Sequence, residues 1–262
     1  MSMEVERKFS YPIRMEAYFS NPKGHFYPSA YQLLLVRLFE YHLQNIEMDV
    51  PRLMRDYGVA WAILSFSLSL KRPFKEDDAL HGHTWHSQTK APLYRREFLI
   101  QDKDHSTVAE GAAFCTLLDV KSRHICRDPE ILKHFQLPDD LTLLDADSRF
   151  REQVVFTTVE ERQVRPSWID CIGHVNNARY GDLAYDALTP EDRARMGDLG
   201  RIDIWFLREM TQDKTFLMQR AYGEDCIYVR GLLLPENKPS FVMKLSFRKD
   251  AAQESYCTIL PR

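Results

Sequence analysis

A chain of 262 residues is long enough for one large domain or two small ones with a full hydrophobic core. Its composition, 44% apolar and 28% charged with a net charge of −3, is that of an ordinary globular protein and gives no reason to expect nucleic acid or an anionic membrane as a partner. No apolar run approaches the ~18 residues that a membrane span requires.

In chain order, the opening MSMEVERKFSYPI lacks an apolar core and an Arg/Ser-rich, acid-poor character, so neither a signal nor a transit peptide is expected. Gly24-His25 precedes a predicted helix from Pro28, a first-turn proline, to about Gln44. This helix is apolar almost all round (Leu33, Leu34, Leu35, Val36, Leu38, Phe39), the mark of burial on most sides. Leu64–Leu70 alternates and predicts a half-buried strand. The polar turn Lys75–Asp78 leads to a strand over Leu80–Trp85 and then to a hairpin, Tyr94–Ile100 and Val108–Leu118 around a turn at Gln101–Ser106. His81, His83 and His86 suggest a metal cluster, but alternation puts His86 on the other face and no carboxylate completes the set, so no metal is expected. Arg127–Arg151, with a short helix and the polar Pro138-Asp139-Asp140, reads as a linker.

The pattern then returns. Gly173-His174 precedes a helix whose stripe is Tyr180, Leu183, Ala184, Ala187 and Leu188, and Thr189-Pro190 closes it and caps the next. Strands follow at Ile202–Met210 and Phe216–Tyr222 around Gln212–Lys214, then a hairpin, Tyr228–Leu234 and Phe241–Phe247 around Pro235–Pro239. A match of helix plus meander, twice, is an internal repeat. A helix this apolar needs a sheet curling round it. The expectation is α+β: two tandem hot-dog units, each a long central helix wrapped by an antiparallel sheet, over residues 1–126 and 152–262 with a linker at 127–151.

Trp168-Ile169-Asp170-Cys171-Ile172-Gly173-His174-Val175-Asn176-Asn177-Ala178-Arg179-Tyr180 resembles the signature segment of acyl-acyl-carrier-protein thioesterases, in which an Asp lies four residues before the His of an HVNN run. Ala60-Trp61, Thr84-Trp85, Arg95-Arg96-Glu97-Phe98, Asp119 with Arg123, and Arg208-Glu209 stand where further family landmarks are expected, so the resemblance spans about residues 8–250. Two positions depart from it. Ile172 replaces an active-site Asn of the plant members, and Met210 follows Glu209 where those members commonly carry a Cys, which excludes a thiol nucleophile there.

The resemblance implies hydrolysis of fatty acyl-carrier thioesters, with Asp170, His174 and Glu209 as catalytic residues. Asp170 would activate water or attack directly. His174 would orient the carboxylate, hold water or protonate the leaving thiolate. Glu209, at the end of the strand and sharing a face with Trp205 and Leu207, would be an acid or a water-holder. Backbone N–H groups near Gly173, Val175 and Asn176 at the helix start would meet the thioester carbonyl, although Asn176 and Asn177 read equally as helix-start residues.

No cofactor is expected, and the implied partner is acyl carrier protein with its acyl-phosphopantetheine group. Arg95, Arg96, Arg123 and Arg127 are candidates for its phosphate or for the acidic carrier, or are solvated. Five single cysteines (Cys115, Cys126, Cys171, Cys226, Cys257) without CxxC spacing suit a reducing cytoplasm, with Cys171 more a small packed residue than a nucleophile. An acyl-coenzyme A thioesterase and a catalytically silent acyl-binding protein, the latter favoured by Ile172, stay open, as does a homodimer. Acyl chain length would be set by Leu33–Phe39 and the sheet beneath.

Overall fold

The computed structural model describes residues 10–90, 92–132 and 141–248. In the first half, strand β1 (Tyr11–Ile13) precedes helices α1 (Pro28–Asn45) and α2 (Val50–Tyr57), followed by β2 (Val59–Leu70), β3 (Leu80–Lys90), β4 (Leu93–Asp102) and β5 (Thr107–Asp119). A single-turn helix, α3 (Pro129–Leu132), lies between the halves, and Pro138–Asp140 of the expected linker fall outside the described residues. The second half has β6 (Thr157–Gln163), α4 (Arg179–Asp186), α5 (Pro190–Ala194), β7 (Leu199–Phe206), β8 (Thr215–Tyr222), β9 (Cys226–Leu234) and β10 (Lys238–Phe247).

The ten strands form one sheet in the order β1-β3-β4-β5-β2-β7-β10-β9-β8-β6. Read outward from the middle, the two halves have the same order, so the sequence repeat is a structural one: an α+β chain of two tandem hot-dog units fused through β2 and β7. The seam is antiparallel, with Ser65 opposite Trp205 and Ser69 opposite Arg201. At its centre the Ser67 hydroxyl donates to buried Asp203 at 2.6 Å, and the Arg201 Nε donates to the same carboxylate at 2.8 Å, so the buried charge is paired.

Helix α1 buries Leu34, Leu35, Leu38, Phe39 and Leu43 against the sheet, as its near-uniform apolarity requires. It runs so close to β3 that a Cβ at Gly82 would lie 2.6 Å from the Leu38 side chain. The second helix is shorter than its apolar stripe suggests. It ends at Asp186, and Ala187 and Leu188 pack into the core beyond it. Arg193 Nη2 and Arg220 Nη1 donate to the Asp186 and Ala187 carbonyls at 2.7 and 2.5 Å, taking over the acceptors that further helix would have used. Thr189 then caps α5, accepting from the Asp192 N–H while its own N–H donates to the Asp192 carboxylate, both at 3.1 Å. The two helices cross where Gly181 faces α1, since a Cβ there would meet the Ser29 nitrogen at 2.3 Å.

The segment from Leu141 to Phe156 is a strap across the outer face of the sheet. Trp85 Nε1 and Trp205 Nε1 donate to the carbonyls of Leu141 and Asp147 at 3.3 and 3.0 Å. Phe150, Val154 and Phe156 cover Trp205, Ala221, Tyr228 and Val242. Arg95 and Arg96 are not surface residues. Arg95 bonds fully buried Glu97 at 2.6 Å and also the Leu144 carbonyl of the strap. Arg96, 1% exposed, points the other way, towards His42 and His86 at 2.9 Å each and over the Phe39 ring. Successive strand residues face opposite sides of a sheet, and here both sides are covered, so neither arginine is available to an acidic carrier. His86 thus faces inward while His81 is exposed. No described helix is long and apolar enough to cross a membrane.

Candidate active site

Asp170 follows a short 3-10 turn, Pro166–Trp168, and its loop closes on itself. The Asp170 N–H donates to the His174 carbonyl at 2.8 Å, and the Gly173 N–H donates to the Asp170 carbonyl at 3.1 Å. Gly173 adopts φ = 85°, where a side chain would be strained. The carboxylate completes an Asx-type turn, with Oδ1 accepting the N–H of Ile172 at 3.0 Å and of His174 at 3.5 Å. Among the described residues none bonds Oδ2, so one carboxylate oxygen is pinned and the other is not.

The backbone donors expected at Gly173, Val175 and Asn176 are spent. Beyond the Gly173 bond, the Val175 N–H donates to the Met210 carbonyl and the Asn176 N–H to the Trp168 carbonyl, both at 2.8 Å. Helix α4 begins only at Arg179, because Asn176 Oδ1 accepts the Ala178 N–H at 3.0 Å and delays the helix. The Asn177 N–H has no bond among the described residues. Val175 is buried and holds the loop down, whereas Gly173 and Asn176 are exposed. Ile172 is 37% exposed, and what it supplies to the turn is its backbone N–H. Cys171 is exposed rather than packed.

Glu209 is not on a strand. Strand β7 ends at Phe206, opposite Phe241, because the N–H groups of Leu207 and Arg208 both donate to the Ser240 carbonyl, at 2.6 and 2.9 Å. Two donors on one acceptor make a bulge, and the face alternation inferred from Trp205 and Leu207 stops there. Met210 is left fully buried and Glu209 exposed. Its Oε2 lies 2.9 Å from His174 Nε2. A carboxylate oxygen can only accept, so in the neutral form of the ring this contact favours the tautomer with its proton on Nε2.

A fourth residue, Arg123, comes from the first unit. Its Nη2 bonds Glu209 Oε1 and lies 3.3 and 3.5 Å from the His174 Nε2 and Nδ1. Near-equal distances to both ring nitrogens place the guanidinium against the ring and not on one lone pair. The arrangement thus joins His174, Glu209 and Arg123 directly. Asp170 shares the turn of His174 but contacts its backbone, not its ring. The sequence signal for Arg123 was its place, with Asp119, among the landmarks of the family resemblance, and nothing in it pointed to Glu209, 86 residues away. The first unit also reaches the site from below, where Gln32 Nε2 donates to the Asn177 carbonyl at 3.0 Å.

Chemically, the site offers a half-pinned carboxylate, an oriented imidazole and an ion pair behind it, a set suited to moving a proton between water and a leaving group. Comparison with known proteins bears on the family and the fold. Residues 10–135 match the family model of the acyl-ACP thioesterase N-terminal domain, and residues 152–230 that of the acyl-ACP thioesterase C-terminal domain. Among solved structures, an acyl-ACP thioesterase from Bacteroides thetaiotaomicron has a TM-score of 0.80 at 17% identity, covering 95% of this chain and 100% of its own. The 12:0-ACP thioesterase from Umbellularia californica has a TM-score of 0.76 at 14% identity, covering 92% and 97%. At these identities the likeness is one of fold. No curated protein matches the chain.

Proposed function

Because the chain belongs to the acyl-ACP thioesterase family, we propose that it hydrolyses fatty acyl-acyl carrier protein to the free fatty acid and holo-carrier protein. The observation that carries this reading is the turn that pins one oxygen of Asp170 and leaves the other open, beside an imidazole fixed by Glu209. Asp170 Oδ2 takes a proton from water as the water oxygen attacks the thioester carbonyl carbon. The Asn177 N–H, ahead of α4, bonds the oxyanion that forms. Collapse breaks the carbon–sulfur bond, and the proton passes through His174 Nδ1 to the departing thiolate. No cofactor enters the scheme.

For the acyl chain, the first unit between α1 and the sheet is the proposed pocket, with Leu34, Leu35, Leu38 and Phe39 on the buried face. The exposed Lys121 and His124 flank Arg123 and give the site a basic margin that suits an acidic carrier. The test is thiol release from one acyl group on carrier protein and on coenzyme A, repeated over medium to long chains. Turnover with a higher kcat/KM on carrier protein is expected. A preference for coenzyme A overturns the partner, and no release from either overturns the enzyme.

A further inference from the structure

The active site contains a residue whose backbone conformation opposes its identity. Arg123 adopts φ = 61°, the left-handed region where glycine is at ease and a side chain is not. The turn that holds it is rigid. Asp119 accepts the N–H of Lys121 at 3.1 Å and of Ser122 at 2.7 Å, the Arg123 N–H donates to the Asp119 carbonyl at 2.9 Å, and the Val120 N–H donates to Gly58 at 2.9 Å. What the side chain gains there is Glu209, whose own side chain is 48% exposed and, among the described residues, is otherwise held by His174 alone.

We propose that Arg123 of the first unit is a positioning residue for the second unit's site: its guanidinium fixes the Glu209 carboxylate so that Oε2 keeps the His174 proton on Nε2. The inference rests on the thioesterase reading above. Without Arg123, a half-exposed glutamate on a bulged loop can rotate into water, and the imidazole loses its fixed tautomer. The site is then one that neither unit completes alone. A contrasting role, direct contact with the substrate's phosphate, would use the same charge but would leave the histidine untouched.

The test uses the full chain with Arg123→Gly and Arg123→Lys. Glycine suits the left-handed backbone, so Tm should hold or rise while kcat falls on the order of 10- to 100-fold with little change in KM. Lysine keeps the charge without the planar fork and should recover part of kcat. The His174 ring nitrogens, followed by NMR, should show one neutral tautomer, Nε2–H, in the wild type and a mixture in Arg123→Gly. A raised KM with unchanged kcat overturns the proposal in favour of substrate contact, and an unchanged His174 tautomer overturns it outright. If the wild type releases no thiol from any acyl thioester, the thioesterase reading fails by itself, and the tautomer comparison still decides the role of Arg123.

Discussion

The loop before α1 and the loop before α4 are the same object built twice. Each starts with a 3-10 turn, Ala17–Phe19 or Pro166–Trp168. In each, the first residue's N–H donates to the histidine carbonyl at 2.8 Å, Asn21 to His25 and Asp170 to His174. Each glycine is left-handed, Gly24 at 77° and Gly173 at 85°. Asn21 Oδ1 accepts from the N–H of Lys23 at 2.9 Å and of His25 at 3.1 Å, as Asp170 Oδ1 does from Ile172 and His174. An amide therefore holds this turn as well as a carboxylate does, and the charge of Asp170 is surplus to folding.

The copies differ wherever chemistry would be done. Pro28, with no N–H, occupies the position of Asn177. His25 is closed over by Gly197, where a Cβ would lie 2.8 Å from the ring, while His174 meets Glu209 and Arg123. The first copy has the turn but not the free N–H of Asn177 or the carboxylate of Asp170.

The comparison breaks most sharply at Asp170→Asn, which installs the first copy's residue in the second. The turn and Tm should be preserved, and kcat should fall on the order of 10²-fold or more. Turnover near wild type would show that the charge is not used, and a collapse of Tm would show that the two turns are not equivalent.

A smaller effect is expected at Ile172. Because that side chain is partly exposed, Ile172→Asn buries no amide and should leave Tm unchanged. A restored hydrogen bond to water or carbonyl would raise kcat up to ~10-fold, about 1.4 kcal/mol. A variant that hydrolyses thioesters when the wild type does not would instead mark this protein as a silenced acyl binder.

The smallest effect belongs to the first copy. Burial holds the His25 imidazole below its ordinary range, with Lys23 acting in the same direction and Asp198 against it. The folded state therefore binds fewer protons there than the unfolded chain once pH falls below about 6.5. Its contribution is fully present above that pH and is lost as pH falls through the depressed value. His25→Gln, which cannot be protonated, should flatten the decline of Tm between pH 7.5 and 5.5 relative to wild type. Parallel curves for the two proteins would show that His25 is not sealed.

Local pattern settled much of this in advance. Apolar periodicity placed α1 from Pro28 to within a residue of its end, and alternation found β2 with Phe66, Leu68 and Leu70 towards the core. The expected half-burial was wrong: Ser65 and Ser67 on the other side are buried as well. The repeat and the Asp170–His174 spacing were legible because the turn closes within five residues, through bonds to its own backbone. Three things were decided only by tertiary structure. The bulge that frees Glu209 depends on the Ser240 carbonyl of a neighbouring strand, which alternation along β7 cannot register. The strap over the outer face explains why Arg95 is buried, and its hold is mainly through backbone carbonyls, which leave no trace in side-chain pattern; Arg96 is buried on the opposite face, against His42, His86 and Phe39. Arg123 joins Glu209 and His174 only because β2 and β7 pair into a single sheet. Contacts across 51 and 86 residues of chain arise from that packing, and no local spacing encodes them.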